Sequence, residues 1–162
     1  MDKLLLTIEL VPESSWYNNV RSKVSPKIWD IIRRKCYDEA HNRCEICGNT
    51  SKNQGLKHDV ECHEIWQYDD ENHIQELTGF IALCNHCHLC KHPGFAEKKG
   101  SIHIVIMHLM RINKMKQGHV LKILDDAMII WRNRSKYQWT VDISYINSYI
   151  MTTVEDKEPL IF

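Results

Sequence analysis

Two cysteine pairs dominate the chemistry available to this chain: Cys44-Glu45-Ile46-Cys47, followed by Gly48, and Cys84-Asn85-His86-Cys87. A two-residue gap lets both sulfurs of a pair turn back onto one ion, and a glycine just after it permits the left-handed turn that closes such a knuckle. Four thiolates form a closed tetrahedral shell, the arrangement of structural zinc. The spacing therefore predicts a Zn²⁺ site on Cys44, Cys47, Cys84 and Cys87. The chain has seven cysteines, an odd count that fits metal ligation better than a disulfide framework. Neither pair sits in a strand–helix–strand context of the thioredoxin type, which argues against a redox role. Cys36, Cys62 and Cys90 read as small apolar side chains.

A second constellation is built from histidine. The chain holds ten, and they bunch between His58 and His92. His88 and His92 are one helical turn apart, so a helix through this stretch projects both rings from one face, a spacing that suits two ligands of one cation. His63 lies in Val60-Glu61-Cys62-His63-Glu64-Ile65-Trp66, whose alternation is strand-like. A strand, then a turn or second strand, then a helix would bring His63 opposite His88 and His92. His58, His73 and His86 read as surface residues.

Taken together, Cys44-Glu45-Ile46-Cys47-Gly48, Cys62-His63-Glu64-Ile65-Trp66-Gln67-Tyr68-Asp69, Leu83-Cys84-Asn85-His86-Cys87-His88 and Lys91-His92 resemble the HNH endonucleases, in particular the bacterial and phage branch with two zinc knuckles. Weaker likeness extends to Val11-Pro12 and Trp16 upstream, and to Trp131, Arg134-Ser135 and Trp139 downstream. The resemblance implies a ββα-metal core and an α+β fold. It also implies hydrolysis of DNA phosphodiester bonds with a catalytic divalent cation such as Mg²⁺, Mn²⁺ or Zn²⁺. Its residues map in two ways. In the preferred one, His63 is the general base, His88 and His92 hold the cation, and Glu61 assists. In the other, His63 is a third ligand and Glu64 stands in the place of the base. An imidazole titrating near neutrality favours the first. One position departs from the family pattern: its central Asn aligns near Gly79, where Gln75 or Asn72 would have to substitute.

These groups need elements to position them. Residues 3–11 read as a strand ending before Pro12, and 13–24 as an extended, partly ordered connection anchored by Trp16. Ser25-Pro26 is a helix start, with Trp29, Ile32, Cys36 and Ala40 on one face and an end near His41-Asn42. Pro93-Gly94 closes the central region. A helix over 102–115 carries Ile102, Ile106 and Leu109 on one side and ends before Gly118. Another over 119–134 buries Val120, Leu124, Ala127 and Trp131. Residues 138–143 alternate like a short strand, and the last dozen residues are polar enough to fray. The expected organisation is one domain over 1–162, with an HNH core at 43–95 wrapped by 1–42 and 96–162.

Composition bounds the rest. An apolar content of 43% over 162 residues supports a real core. No apolar run approaches the ~20 residues of a membrane span. The stretch Met1–Glu9 is too short for a signal peptide and carries Asp2 and Glu9, so a cytoplasmic location is expected. Basic and acidic side chains balance at 21 each, which counts mildly against non-specific coating of DNA. Arg132, Arg134 and Lys136, beside Trp131, Tyr137 and Trp139, form a dense basic cluster that could grip a phosphate backbone. The same cluster would also complement a helix C-terminus. DNA is the expected partner and RNA a second possibility. The competing reading is a catalytically idle zinc module that binds nucleic acid or a protein.

Overall fold

The protein is described here by a computed structural model covering residues 4–155, of which 152–155 are described by their backbone alone. Its centre is an antiparallel hairpin of β1 (Glu61–Asp69) and β2 (Ile74–Leu83), with β3 (Thr140–Asp142) parallel to β2 on the far side. Ile, Leu, Phe, Trp and Tyr side chains make both long strands suited to a pleated, half-buried surface. Asp69 builds the turn. Its carboxylate accepts the backbone N–H groups of Glu71 and Asn72 at 3.0 Å each, and Asn72 Nδ2 at 2.7 Å. The register sets Glu61 opposite Leu83 and His63 opposite Ile81. It slips between Ile65 and Trp66, where Thr78 is the extra residue and its hydroxyl donates to the Ile65 carbonyl at 3.2 Å.

Helices cover both faces, and the fold is α+β. On one face lie α1 (Val20–Lys23), α2 (Pro26–Glu39) and α7 (Tyr145–Glu155), closed by Val20, Ile32, Leu77, Ile146 and Tyr149. On the other lie α3 (Asn85–Lys91), α4 (Pro93–Lys98), α5 (Ile102–Asn113) and α6 (Gln117–Arg134). Leu83, Cys87, Val105, Leu109 and Val120 form that core. Ser25 caps α2 as expected, accepting the Ile28 N–H, with Pro26 in the first turn and Ile32 and Cys36 buried. Among the described residues no helix is long and apolar enough to cross a membrane.

Several elements differ from the sequence reading. Residues 4–11 form no strand. Three consecutive leucines give no two-residue alternation, and the backbone finds its partners elsewhere. The Leu5 and Leu6 amides donate to Asn113 Oδ1, and Asn113 Nδ2 donates to the Leu6 carbonyl. The stretch 13–24 is not extended: it holds a 3-10 turn at Glu13–Ser15 and then α1. Pro93 opens α4 instead of ending the centre, since its ring suits a first helical turn. Gly118 lies inside the first turn of α6; the break is at Lys114, in the left-handed region at φ 52°. On α6 only Val120 is fully buried. The polar end expected to fray runs through α7 to Glu155 and then lies outside the described residues.

Candidate metal centres

The two knuckles converge. The sulfurs of Cys44, Cys47, Cys84 and Cys87 all lie within 4.8 Å of one another, and those of Cys47 and Cys84 are 3.5 Å apart. Tetrahedral bonds of about 2.3 Å place sulfurs roughly 3.8 Å apart, so this donor set fits a metal such as zinc. No cysteine is in a disulfide among the described residues. Gly48 takes the left-handed conformation, φ 70°, that closes the first knuckle. Glu45 ties that knuckle to β2: its amide donates to the Ala82 carbonyl at 3.0 Å, and its carboxylate accepts the Ala82 amide at 2.6 Å.

Side chains behind the sulfurs complete the cluster. Gln54 Nε2 donates to Cys84 Sγ at 3.2 Å while its Oε1 accepts the His86 amide. Arg111 can only donate, so His108 Nδ1 accepts from it at 3.2 Å, and the ring proton sits on Nε2, 3.1 Å from Cys87 Sγ. Burial, with Arg111 close by, pushes the His108 pKa down to about 4, which keeps the ring neutral. An N–H donor aimed at a thiolate is the kind of outer contact that holds metal ligands in place. Nothing in local spacing pointed to Gln54 or His108. Burial pushes the Cys47 thiol up to about 11, whereas hydrogen bonds from Cys44 and Cys87 hold the Cys84 thiol far below its usual value. Cys36 and Cys90 are buried as expected, and Cys62 is partly buried.

His63, His88 and His92 form a second cluster, with ring nitrogens within 4.8 Å of one another and centroids 4.9 to 5.3 Å apart. β1 carries His63 on the face toward α3. α3 carries His88, and His92 follows its last residue. Burial, reinforced by the neighbouring rings, holds the His92 pKa down to about 3, so its nitrogen is available as a donor. Glu61 stands behind His88. One carboxylate oxygen takes His88 Nδ1 and the other lies 2.8 Å from His58 Nε2. The carboxylate can only accept from the His88 ring, so the tautomer of the neutral ring that fits this contact carries its proton on Nδ1. Glu61 thus orients the His88 ring and is not among the donor atoms that converge.

Glu64 sits on the opposite face of β1, as strand alternation requires. Its carboxylate caps α1, accepting the Val20 amide at 2.8 Å, and bonds with Arg21 N–H and Trp66 also reach it. Burial raises its pKa to about 7 despite those bonds. Gly79 pairs with Ile65, and neither proposed substitute for the family Asn lies near it. Asn72 is spent in the hairpin turn, and Gln75 is buried beside Tyr68 at the far end of β2, its Oε1 without a partner among the described residues.

The carboxylate that does approach the histidines is one the sequence reading missed. Glu9 Oε2 lies 3.4 Å from His63 Nε2, and Oε1 accepts from the buried Lys91 Nζ at 2.5 Å and from Thr7 at 2.9 Å. Burial would raise its pKa, but His63 and Lys91 outweigh that and hold it at about 2. Its one trace in the sequence is a lone acid interrupting an apolar run. Glu9, His63, His88 and His92 line a cleft of 1120 Å³ that also runs past Trp16 and Trp131. Those two indoles stack at 6.3 Å, with Lys98 Nζ 5.5 Å above Trp16.

No family model, curated protein or solved structure matches this chain.

The basic cluster at the end of α6 is divided. Arg134 is engaged: its Nε and Nη2 each donate to an Asp70 carboxylate oxygen at 2.7 Å, and its guanidinium lies 4.1 Å from the Tyr68 ring centre. Lys136 donates to Asn133 at 3.0 Å. Arg132 and Lys136 are exposed. His58 is exposed as expected, whereas His73 and His86 are half-buried, the former stacked on Tyr137.

Proposed function

We propose that this chain is a metal-dependent nuclease of the HNH type that hydrolyses phosphodiester bonds of DNA. One observation carries the reading: three histidines from a strand and the following helix converge in an open cleft, beside a separate four-thiol cluster that suits structural Zn²⁺. A cation held by the three imidazoles (Mg²⁺, Mn²⁺ or Zn²⁺) would polarise a phosphoryl oxygen, ease departure of the leaving oxygen and lower the pKa of a bound water.

The chain's own residues supply the positioning. Glu61 fixes the ring of His88, and the hairpin register fixes His63. His63 is buried among the other two rings, which favours it as a third ligand over the role of general base. Glu64 faces away and is not assigned that role either. Trp16, Trp131 and Lys98 offer an aromatic and cationic wall on which a base and its phosphate can rest.

The test is nicking of supercoiled plasmid, and cleavage of RNA in parallel, with each of the three ions. Wild type should nick DNA. His63→Ala and His88→Ala should lose both cleavage and one equivalent of bound cation while retaining the zinc and the fold. Folded, metal-loaded wild type that cuts neither polymer sinks the proposal. It would leave the idle zinc module, which the absence of Asn near Gly79 favours.

A further inference from the structure

The cleft does not stop at the histidines. A second groove of 530 Å³ adjoins it, and Arg21, Trp29, Glu61, Cys62 and His88 line both. Beyond those shared residues α2 walls the groove with Arg33 and Tyr37.

Glu64 places Arg21 at that junction. Its carboxylate accepts the Val20 amide at 2.8 Å and the Arg21 amide as well, and Val20 is wholly buried. The backbone of α1 is thereby fixed to β1 next to His63, while the Arg21 side chain stays exposed. The other charged groups of the groove are taken. Asp30 and Arg33 pair at 2.7 Å, and Glu61 is shared between His88 and His58. Arg21 makes no ion pair among the described residues. On the far side of the histidines Lys91 offsets Glu9, and Lys98 lies over Trp16; Glu13 and Glu97 line that cleft but not the second groove. A polyanion crossing the histidines meets Lys98 on one side and Arg21 on the other. It also meets aromatic rings on both sides, Trp16 and Trp131 on the first, Trp29 and Tyr37 on the second. A ring face takes a base only when that base has left its helical stack.

We infer that the strand cleaved is unpaired DNA running through both cavities, with Arg21 gripping a phosphate beyond the scissile one. This rests on the nuclease reading above. It also gives Glu64 a part: the carboxylate mounts the helix that carries the phosphate contact. A path open on both sides of the histidines needs no strand end.

The experiment measures binding by fluorescence anisotropy, with full-length protein, zinc on the thiolates and Ca²⁺ in place of the catalytic ions. The probes are a fluorescein-labelled single-stranded oligonucleotide and the same strand annealed to its complement. Wild type should bind the single strand about tenfold or more tightly than the duplex, since one base stacked on an aromatic ring is worth about 5- to 150-fold. Arg21→Ala should lower the slope of log K against log[salt] by about 0.7, the loss of one phosphate contact on a single strand. Arg21→Lys keeps the charge and should keep the slope. Arg34→Ala removes an equal charge from an exposed position outside both cavities and should leave the slope alone. Equal affinity for strand and duplex overturns the inference. So does an Arg21→Ala slope equal to that of wild type or matched by Arg34→Ala. Those results leave plasmid nicking, and with it the nuclease reading, untouched. Wild type that binds neither probe overturns the nucleic-acid reading as well. With Mg²⁺ or Mn²⁺ restored, wild type should cut circular single-stranded DNA; cleavage confined to linear strands overturns the path through both cavities. Thermal unfolding checks the fold of each variant, and if Arg21→Ala unfolds, Arg21→Gln is read in its place.

Discussion

Replacing Asn113 with Ala tests whether a single side chain holds the N-terminal segment in the cleft. Asn113 makes three hydrogen bonds to that segment: it accepts the amides of Leu5 and Leu6 and donates to the Leu6 carbonyl. Each is worth about 1 kcal/mol net. Ala is the better helix former at the end of α5 by roughly 0.5 kcal/mol, which offsets part of the loss. The net cost is then about 2–3 kcal/mol. In a domain of this size each kcal/mol lowers Tm by about 2–4 °C, so a fall of roughly 5–10 °C is expected. The loss should be local first, because the clamp acts at one end of a segment whose other anchors are the buried Leu6 and the two indole bonds to the Val11 carbonyl. Amide hydrogen exchange reads this directly. If the segment opens as a unit, 2–3 kcal/mol corresponds to exchange of the Leu6 amide about 30- to 150-fold faster, with β1 and β2 amides little changed. An Asn113→Ala protein with unchanged Leu6 exchange and unchanged Tm would refute the reasoning: the segment would then be held by Leu6 burial and the bonds at Glu9 and Val11.

Other consequences can be checked separately. Stripping zinc with a strong chelator should unfold the central hairpin and α3 together, because structural zinc contributes ~10 kcal/mol or more of apparent folding free energy; a folded, zinc-free protein by circular dichroism would contradict the four-thiolate assignment. Glu64→Gln should leave cleavage within a few-fold of wild type and Glu64→Ala should cost about 1 kcal/mol through α1, since Glu64 caps that helix. Loss of cleavage in Glu64→Gln with normal cation binding would instead make it the base. Arg134→Ala should cost about 1 kcal/mol of stability, from the Asp70 pair and the Tyr68 contact, without changing the salt dependence of DNA binding. Arg132→Ala should instead reduce the slope of log K against log[salt] by about 1 if this end of α6 meets phosphate, and an unchanged slope would remove it from the interface.

The parts of this structure that were legible in the sequence are those whose geometry is local. A two-residue gap between cysteines dictates how the two sulfurs point, and the His88–His92 spacing keeps two rings about one turn apart even though His92 falls just past the end of α3, so both clusters could be named from spacing. The Ser25-Pro26 helix start is local for the same reason. What stayed hidden depends on distant backbone. Residues 4–11 are apolar enough to read as a strand, but their hydrogen-bond partners are on Asn113, more than a hundred residues away. Glu9 becomes a site residue only because that segment crosses the cleft. Arg134 looked free to bind phosphate because Asp70, which takes its fork, lies in the hairpin turn. His108 reaches Cys87 from α5, and no motif marks it.

The two metal clusters are mechanically one object, because they share a single short helix and a single hairpin. α3 is seven residues long, begins at the cysteine knuckle and ends one residue before His92. Cys84 occupies its N-cap and its carbonyl accepts the His88 amide at 2.9 Å, so a residue of the cysteine cluster also closes the backbone turn that aims a ring of the histidine cluster. On the strand side, Glu45 binds both backbone groups of Ala82, and Ala82 pairs with Cys62, the neighbour of His63. A helix this short is marginal by itself in water. Its rotation about its own axis is set by Cys84 and Cys87 together with the core that Cys87 and Cys90 enter beside Val105 and Leu109, and that rotation decides whether His88 meets His63. The cysteine cluster and that core thus hold the strand that carries His63 against the helix that carries His88.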